Sequence, residues 1–298
     1  MRLFYKYLTF IFIFTSISAF ASTYPLTANT EVFGSMSTVT PKKNDTFSYY
    51  AHTYDVGAFA IINANPGINE NYPDKQTKPI TIPGEFILPT KQDGIVINLP
   101  ELRLYYFTPG ELHSYPVSIG RVGWKTPIQE GKIVQKEKDP SWIVPDSILA
   151  ESEAKGHPIA PVYGPGPKNP LGRYAMHLSI PGYLIHGTNA PTSIGRRVSH
   201  GCIRMFPNDI EELFNLVPVG TPVALINEPV KAGWRGNELN LEIHPILAEY
   251  PMSDDQLKTL VTDTINNAAK GKTVKLDANQ IDRMIKQKSG IVEVIAKG

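Results

Sequence analysis

Among 298 residues there is one cysteine, Cys202. No intramolecular disulfide can therefore staple the fold, and no multi-thiolate metal site can form. A lipid anchor on a cysteine just after an N-terminal apolar run is excluded as well, since no cysteine stands there. Net charge is nearly absent: 29 basic residues face 28 acidic ones. That balance leaves no global basic field of the kind a nucleic-acid partner needs. His52, His113, His157 and His244 show no metal-ligand spacing, so neither a metal nor a cofactor is expected. No internal repeat and no low-complexity run occurs. One long apolar run exists, at the N-terminus, so no integral membrane span is expected once that segment is gone.

That N-terminal segment has the form of a secretory signal. Arg2 and Lys6 precede an apolar run from Leu8 to Ile17, and Ala19-Phe20-Ala21 supplies a small-x-small cleavage pattern. A cleaved signal over 1–21 sends the chain to the periplasm; an uncleaved anchor is the alternative. Removing Arg2 and Lys6 leaves 27 basic against 28 acidic residues. An exported protein enters an oxidising compartment, where structural cysteines usually pair. A lone thiol there is either a small buried hydrophobe or a reactive group.

The rest divides into four segments. Residues 22–37 are small and polar and are expected as a flexible leader. In 38–90, Asn44-Asp45-Thr46 signals a helix start, and Phe47, Tyr50, Ala51 and Tyr54 share one helical face. A second short helix over 57–64, a turn at Asn65-Pro66-Gly67 and a strand at Ile80–Ile82 follow. This pattern resembles the LysM peptidoglycan-binding module, with Asn44 in place of its usual glycine; a helix pair that only packs on its neighbour is the alternative. Residues 91–228 form a β-rich domain. Strands are expected at 94–99, 102–107, 115–120, 174–178, 183–186 and 222–227, with a helix at 208–216 and an irregular Pro/Gly loop at 156–172. Residues 229–298 form a small α/β accessory module. Its Ser253-x-x-Gln256 capping box opens a helix, a second helix covers 278–287 and a strand covers 290–295.

The segment from Ile185 to Met205 reads IHGTNAPTSIGRRVSHGCIRM. It brings a thiol, two histidines and three arginines together, with no Asp or Glu from His186 to Phe206. Such a cationic neighbourhood is expected to lower the thiol pKa and favour the nucleophilic thiolate. Gly201 allows a substrate close to the backbone, and the N–H groups of Gly201 and Cys202 can face an oxyanion. Arg196 and Arg197 read as solvated charges and His177 as structural. Trp124, Trp142 and Trp234 could line a cleft, with packing as the default reading.

His-Gly-Thr followed by Ser-His-Gly-Cys-x-Arg, with 16 residues from His186 to Cys202, resembles the signature of the L,D-transpeptidases, cysteine enzymes that cross-link peptidoglycan. The segments GIVINLPELRLYYF, DPSWIVP, GPGPKNPLGRYAMHL and GTPVALIN resemble the periplasmic subgroup of that family. The resemblance implies a mainly β, sandwich- or cradle-like catalytic domain flanked by the two small α/β modules. It implies Cys202 as nucleophile, His186 as proton acceptor and a backbone carbonyl near Gly187 as the third member. His200, Gly201 and Cys202 would surround the oxyanion, Arg204 would hold substrate and Ser199 would tune the loop. The implied partners are peptidoglycan stem peptides, with carbapenems as inhibitors. The acyl acceptor stays open between the diamino acid of another stem, an amine of an outer-membrane protein or lipoprotein, and water, the last giving a carboxypeptidase. A non-catalytic wall-binding protein is the rival from another class. A papain-like protease is disfavoured, since its Cys-before-His order is absent.

Overall fold

The computed structural model describes residues 22–27, 30–75 and 78–298; the signal expected over 1–21 lies outside them. The dominant element is a nine-stranded sheet. Its order is Ser22–Pro25, Glu111–Pro116, Arg103–Thr108, Ile95–Asn98, Pro222–Ile226, Gln129–Lys138, Tyr174–Leu178, Leu184–His186 and Ile203–Arg204. The Ile95–Asn98 strand is buried on both faces, which explains its unbroken apolar run. Ile95 and Ile97 enter the main core, while Val96 joins a second cluster with Phe33, Phe86, Tyr105 and Leu112.

The sheet curls until its two halves meet. Beyond Pro116 the chain continues to Ser118, whose N–H donates to Arg204 O and whose carbonyl accepts from Arg204 N, both at 2.9 Å. Ile119–Gly120 then pairs in parallel with Arg197–Ser199. Helix Pro207–Leu216 closes the core with Ile210 and Leu213. Its proline sits at the first turn, where the missing N–H costs no hydrogen bond.

The expected strands at 94–99, 102–107, 174–178, 183–186 and 222–227 are present within a residue or so. The one expected at 115–120 is broken into the end of Glu111–Pro116 and the short Ile119–Gly120. Gln129–Lys138 was not expected as a strand. Only Ile133 is fully buried along it, and its charged residues hide the alternation.

The stretches 22–27 and 30–37 are not a flexible leader. Ser22–Pro25 adds an edge strand beside Glu111–Pro116, Val32–Phe33 pairs with Phe86–Ile87, and Met36–Val39 pairs with Ile80–Pro83. Backbone pairing and the burial of Val32 and Phe33 hold this stretch despite its small polar side chains. The N-terminal module expected over 38–90 therefore begins at Met36 and runs strand, helix Phe47–Thr53, helix Ala58–Ala64, strand. Thr46 caps the first helix by accepting from Tyr49 N. The module's core includes Ile194 and Phe206, so it packs on the chain on both sides of Cys202. Arg196 and Arg197 are not solvated: they pair with Glu70 and Glu249, respectively, and are largely buried.

The C-terminal module is a three-stranded antiparallel sheet of Val230–Arg235, Glu238–Ile243 and Glu293–Lys297. Helices Asp254–Ala269 and Ala278–Gln287 cover it with Leu257, Val261, Ile265, Met284 and Ile285. The Ser253–Gln256 capping box is formed in both directions.

Where this module meets the large sheet, Lys231 is buried. Its Nζ donates to Glu101 Oε2 at 2.8 Å, to Ile87 O at 2.6 Å and to Tyr105 OH at 3.1 Å, and it lies 3.1 Å from Glu242 Oε2. Glu242 also meets His244 Nε2 at 2.6 Å. Glu101, Glu242 and His244 are close enough to hold a cation, but the Lys231 ammonium already fills that role. Among the described residues, no helix is long and apolar enough to cross a membrane.

Candidate active site

Two short parallel strands build the site. His186 stands opposite Arg204 and Ile185 opposite Ile203, so the same register carries Leu184 beside Cys202. Side chains alternate along a strand. Ile185 and Ile203 therefore face the core, where both are fully buried, and Leu184, His186, Cys202 and Arg204 face the other way. All four line one cleft of about 300 Å³. The separation of 16 residues in sequence becomes a diagonal between neighbouring strands.

His186 is buried, and its Nδ1 lies 2.7 Å from the Gly187 carbonyl. A carbonyl can only accept, so Nδ1 carries the proton and Nε2 is left as a base. Burial, and then the nearby Arg204 charge, lower its pKa to about 3, so the resting ring is neutral. Gly187 sits in a tight place. A Cβ there would lie 3.1 Å from Ile210 Cγ2 and 3.3 Å from Leu171 O.

The thiol contradicts the expectation of a lowered pKa. Burial pushes it up, and the opposing Leu184 N–H and Arg204 charge do not outweigh burial. The cationic neighbourhood in sequence is dispersed in space. Arg196 and Arg197 are neutralised elsewhere by Glu70 and Glu249, and His200 faces Glu151 Oε2 at 2.8 Å. The resting pair is thus thiol and neutral imidazole.

The loop before Cys202 is pinned. Ser199 Oγ donates to Cys202 O at 2.5 Å and accepts from Gly201 N at 3.1 Å. Thr126 Oγ1 donates to Gly201 O at 2.6 Å. The Gly201 N–H, expected to face an oxyanion, is therefore engaged by Ser199. Gly201 has φ +110°, and a Cβ on it would lie 3.0 Å from Tyr183 Cε1. Gly201→Ala is expected to lower stability by about 1–3 kcal/mol through backbone strain and to slow reaction at Cys202. Chemical denaturation and thiol alkylation measure the two effects; an alanine variant matching the parent in both would remove the strain argument.

Arg204 supplies the polar group of the cleft. Its buried Nε has no hydrogen-bond partner among the described residues, which leaves a donor for a ligand. Trp124 and Trp142 line the cleft rather than only packing. Trp234 packs in the C-terminal core and donates from Nε1 to Ala268 O at 2.8 Å. His177 lies on its strand 3.5 Å from Glu137, outside the cleft lining. Sequence reasoning missed Thr126, Tyr183, Asn169 and Glu151. Asn169 fixes the Pro/Gly loop by donating to Pro140 O at 2.7 Å and accepting from Leu171 N at 2.9 Å. An Asn set directly before a proline in a proline-rich loop was the available signal.

The description "L,D-transpeptidase catalytic domain", the YkuD family model, matches residues 92–225. The probable L,D-transpeptidase YbiS of Escherichia coli (strain K12) is 38% identical over 285 residues, covering 92% of this chain and 92% of that protein. The probable L,D-transpeptidase ErfK/SrfK of the same organism is 35% identical over 302 residues, covering 97% of this chain and 96% of that protein. With identity at this level running over nearly the full length of both relatives, the chain belongs to the L,D-transpeptidase family.

Proposed function

We propose that this protein is an exported peptidoglycan L,D-transpeptidase, with Cys202 as nucleophile and His186 as general base. The observation that carries this reading is one cleft face. Two strands present a thiol, a neutral imidazole with its proton fixed on Nδ1 by Gly187, and an unpartnered arginine donor. His186 Nε2 takes the thiol proton as sulfur bonds to the carbonyl carbon of the third residue of a tetrapeptide stem. The C–N bond to the terminal D-alanine breaks, and that amine leaves with the proton. A thioester remains on Cys202. An acceptor amine attacks the thioester, gives its proton through His186 and releases the thiol. Arg204 receives a substrate carboxylate through its free N–H. The Cys202 N–H is the oxyanion donor, while Ser199 and His200 hold the loop.

The strand–helix–helix–strand order of residues 36–83 supports reading the N-terminal module as a LysM-like peptidoglycan-binding unit, and the N-terminal signal supports a periplasmic location. The subgroup resemblance favours an outer-membrane protein or lipoprotein amine as acceptor over the diamino acid of another stem or water.

A carbapenem tests the chemistry. Opening of its ring by Cys202 retains every atom, so intact mass should rise by one drug mass, located on the peptide carrying Cys202. Tetrapeptide stems should release D-alanine and pentapeptide stems should not. An unmodified protein after long incubation, with no D-alanine released, would leave the wall-binding reading.

A further inference from the structure

Helix Asp146–Ala154 forms one wall of the cleft, where Pro145, Ser147 and Ile148 line it together with Trp142 just upstream. Hydrophobic burial does little to hold this wall, because Ile148 is the helix's one buried residue. The two-stranded pair that brackets the helix, Trp142–Ile143 with Val162–Tyr163, leaves Ile143 and Val162 exposed.

What ties the wall down is one carboxylate. Glu151 reaches across to Arg121, which touches both of its oxygens, and to His200 Nε2 at 2.8 Å. Lys155, one turn further along the helix, adds a contact at 2.9 Å. Trp124 stands edge-on to His200 at 4.7 Å, and Arg121 lies over Trp124 at 5.6 Å. A single side chain therefore joins the helix wall, the 121–124 turn and the residue two before Cys202. Three cationic or protonatable groups around it hold its pKa down to about 2, the bonds from Lys155 and His200 contributing most. It is therefore charged throughout the neutral range.

We infer that Glu151 is a positioning residue that bolts the Asp146–Ala154 wall to the Cys202 loop, so that a long peptide substrate is clamped against the thiol. This rests on the reading of the cleft as the active site. The clamp matters for a substrate that spans both walls and not for a small reagent that needs only the thiol. Misplacing one wall by an ångström costs on the order of tenfold to a hundredfold in a positioned reaction.

Wild type, Glu151→Ala, Glu151→Gln and the double variant Arg121→Ala/Glu151→Ala are compared by three measurements. These are D-alanine release from a tetrapeptide stem, alkylation of Cys202 by iodoacetamide and thermal unfolding. For Glu151→Ala the KM is expected to rise by roughly tenfold or more, with alkylation within about twofold of wild type. Glu151→Gln keeps the shape but loses the charge that pairs with Arg121 and the second acceptor oxygen, so it should resemble the alanine variant. The double variant should be no worse than Glu151→Ala, since both residues act through one contact. An unchanged KM in both Glu151 variants, beside an active wild type, overturns the inference. So does a parallel loss of stability, alkylation and kcat, which marks a general structural role. A wild type that releases no D-alanine and is not acylated by a carbapenem fails at the underlying reading instead.

Discussion

Cys202→Ala should fold as the parent does and release no D-alanine. The side chain makes no disulfide and no ion pair, and its contacts are a long sulfur approach to Gly182 O at 3.6 Å and the Leu184 N–H. Little stability is at stake. The reaction, in contrast, has no covalent route without the sulfur, and loss of a nucleophile costs at least about 10⁵-fold. His186→Ala should be slower by on the order of 10²–10⁴, the usual contribution of a positioned base, because the thiol can still ionise on its own. The pH dependence separates this site from an ordinary Cys–His ion pair. With His186 held near a pKa of about 3, the base is already unprotonated throughout the neutral range. Carbapenem acylation should therefore show no acid limb over roughly pH 5 to 7, where a free histidine would titrate. The His186→Ala variant should instead accelerate with rising pH as the raised thiol pKa is approached. Circular dichroism, D-alanine release and a pH series of intact-mass measurements check all three statements. Residual turnover of Cys202→Ala within tenfold of the parent would remove the cysteine from the mechanism; a limb centred near 6.5 would remove the neutral resting pair.

The residues of this site were legible in sequence because they sit on two short strands whose spacing and identity are local properties. The alternation of Cys202, Ile203 and Arg204 already separates a core residue from two reactive or charged ones, whereas Leu184-Ile185-His186 carries no such contrast and its facing comes from the register with Ile203 and Arg204. The sign of the thiol's shift was not legible. It depends on where Glu70, Glu249 and Glu151 lie, and these are 126, 52 and 49 residues from Arg196, Arg197 and His200, respectively. Glu151 was hidden for the same reason, on a helix with one buried residue and thus no apolar stripe to mark it. Residues 22–37 misled because their small polar side chains say nothing of backbone pairing, which is what places Ser22–Pro25 on the sheet edge. Gln129–Lys138 misled through charge: seven of its ten residues are Gln, Glu or Lys, yet its neighbours on both sides are buried strands.

Lys231→Ala should destabilise the protein more than any substitution in the cleft. The Lys231 side chain is 1% exposed, and its partners Glu101 and Glu242 are 3% and 2% exposed. Removing one partner of a buried ion pair costs about 3–5 kcal/mol, because the remaining charge stays desolvated. Here two carboxylates lose a shared cation. Arg103, 3.4 Å from Glu101, and His244, at Glu242, compensate only in part. The network also spans the junction, since Glu101 comes from the turn between two strands of the large sheet, Ile87 from the N-terminal strands and Lys231, Glu242 and His244 from the C-terminal module. Loosening should therefore begin there. The pH dependence fixes the cause. In the parent, burial pushes the Glu242 pKa up, but Lys231 and then His244 hold it down to about 2, below the ordinary carboxylate value. Its stabilising contribution is present above that ordinary value and is lost as pH falls through about 2. Without Lys231 the upward push of burial is less opposed. The folded carboxyl then binds its proton more readily, and the variant recovers stability as pH falls from neutral. The deficit relative to the parent should accordingly be largest near neutral pH and shrink toward pH 4–5, roughly the range in which a carboxylate begins to titrate. Urea unfolding of both proteins across that range measures it. A deficit below about 1 kcal/mol, or one constant with pH, would show that the network contributes packing rather than charge.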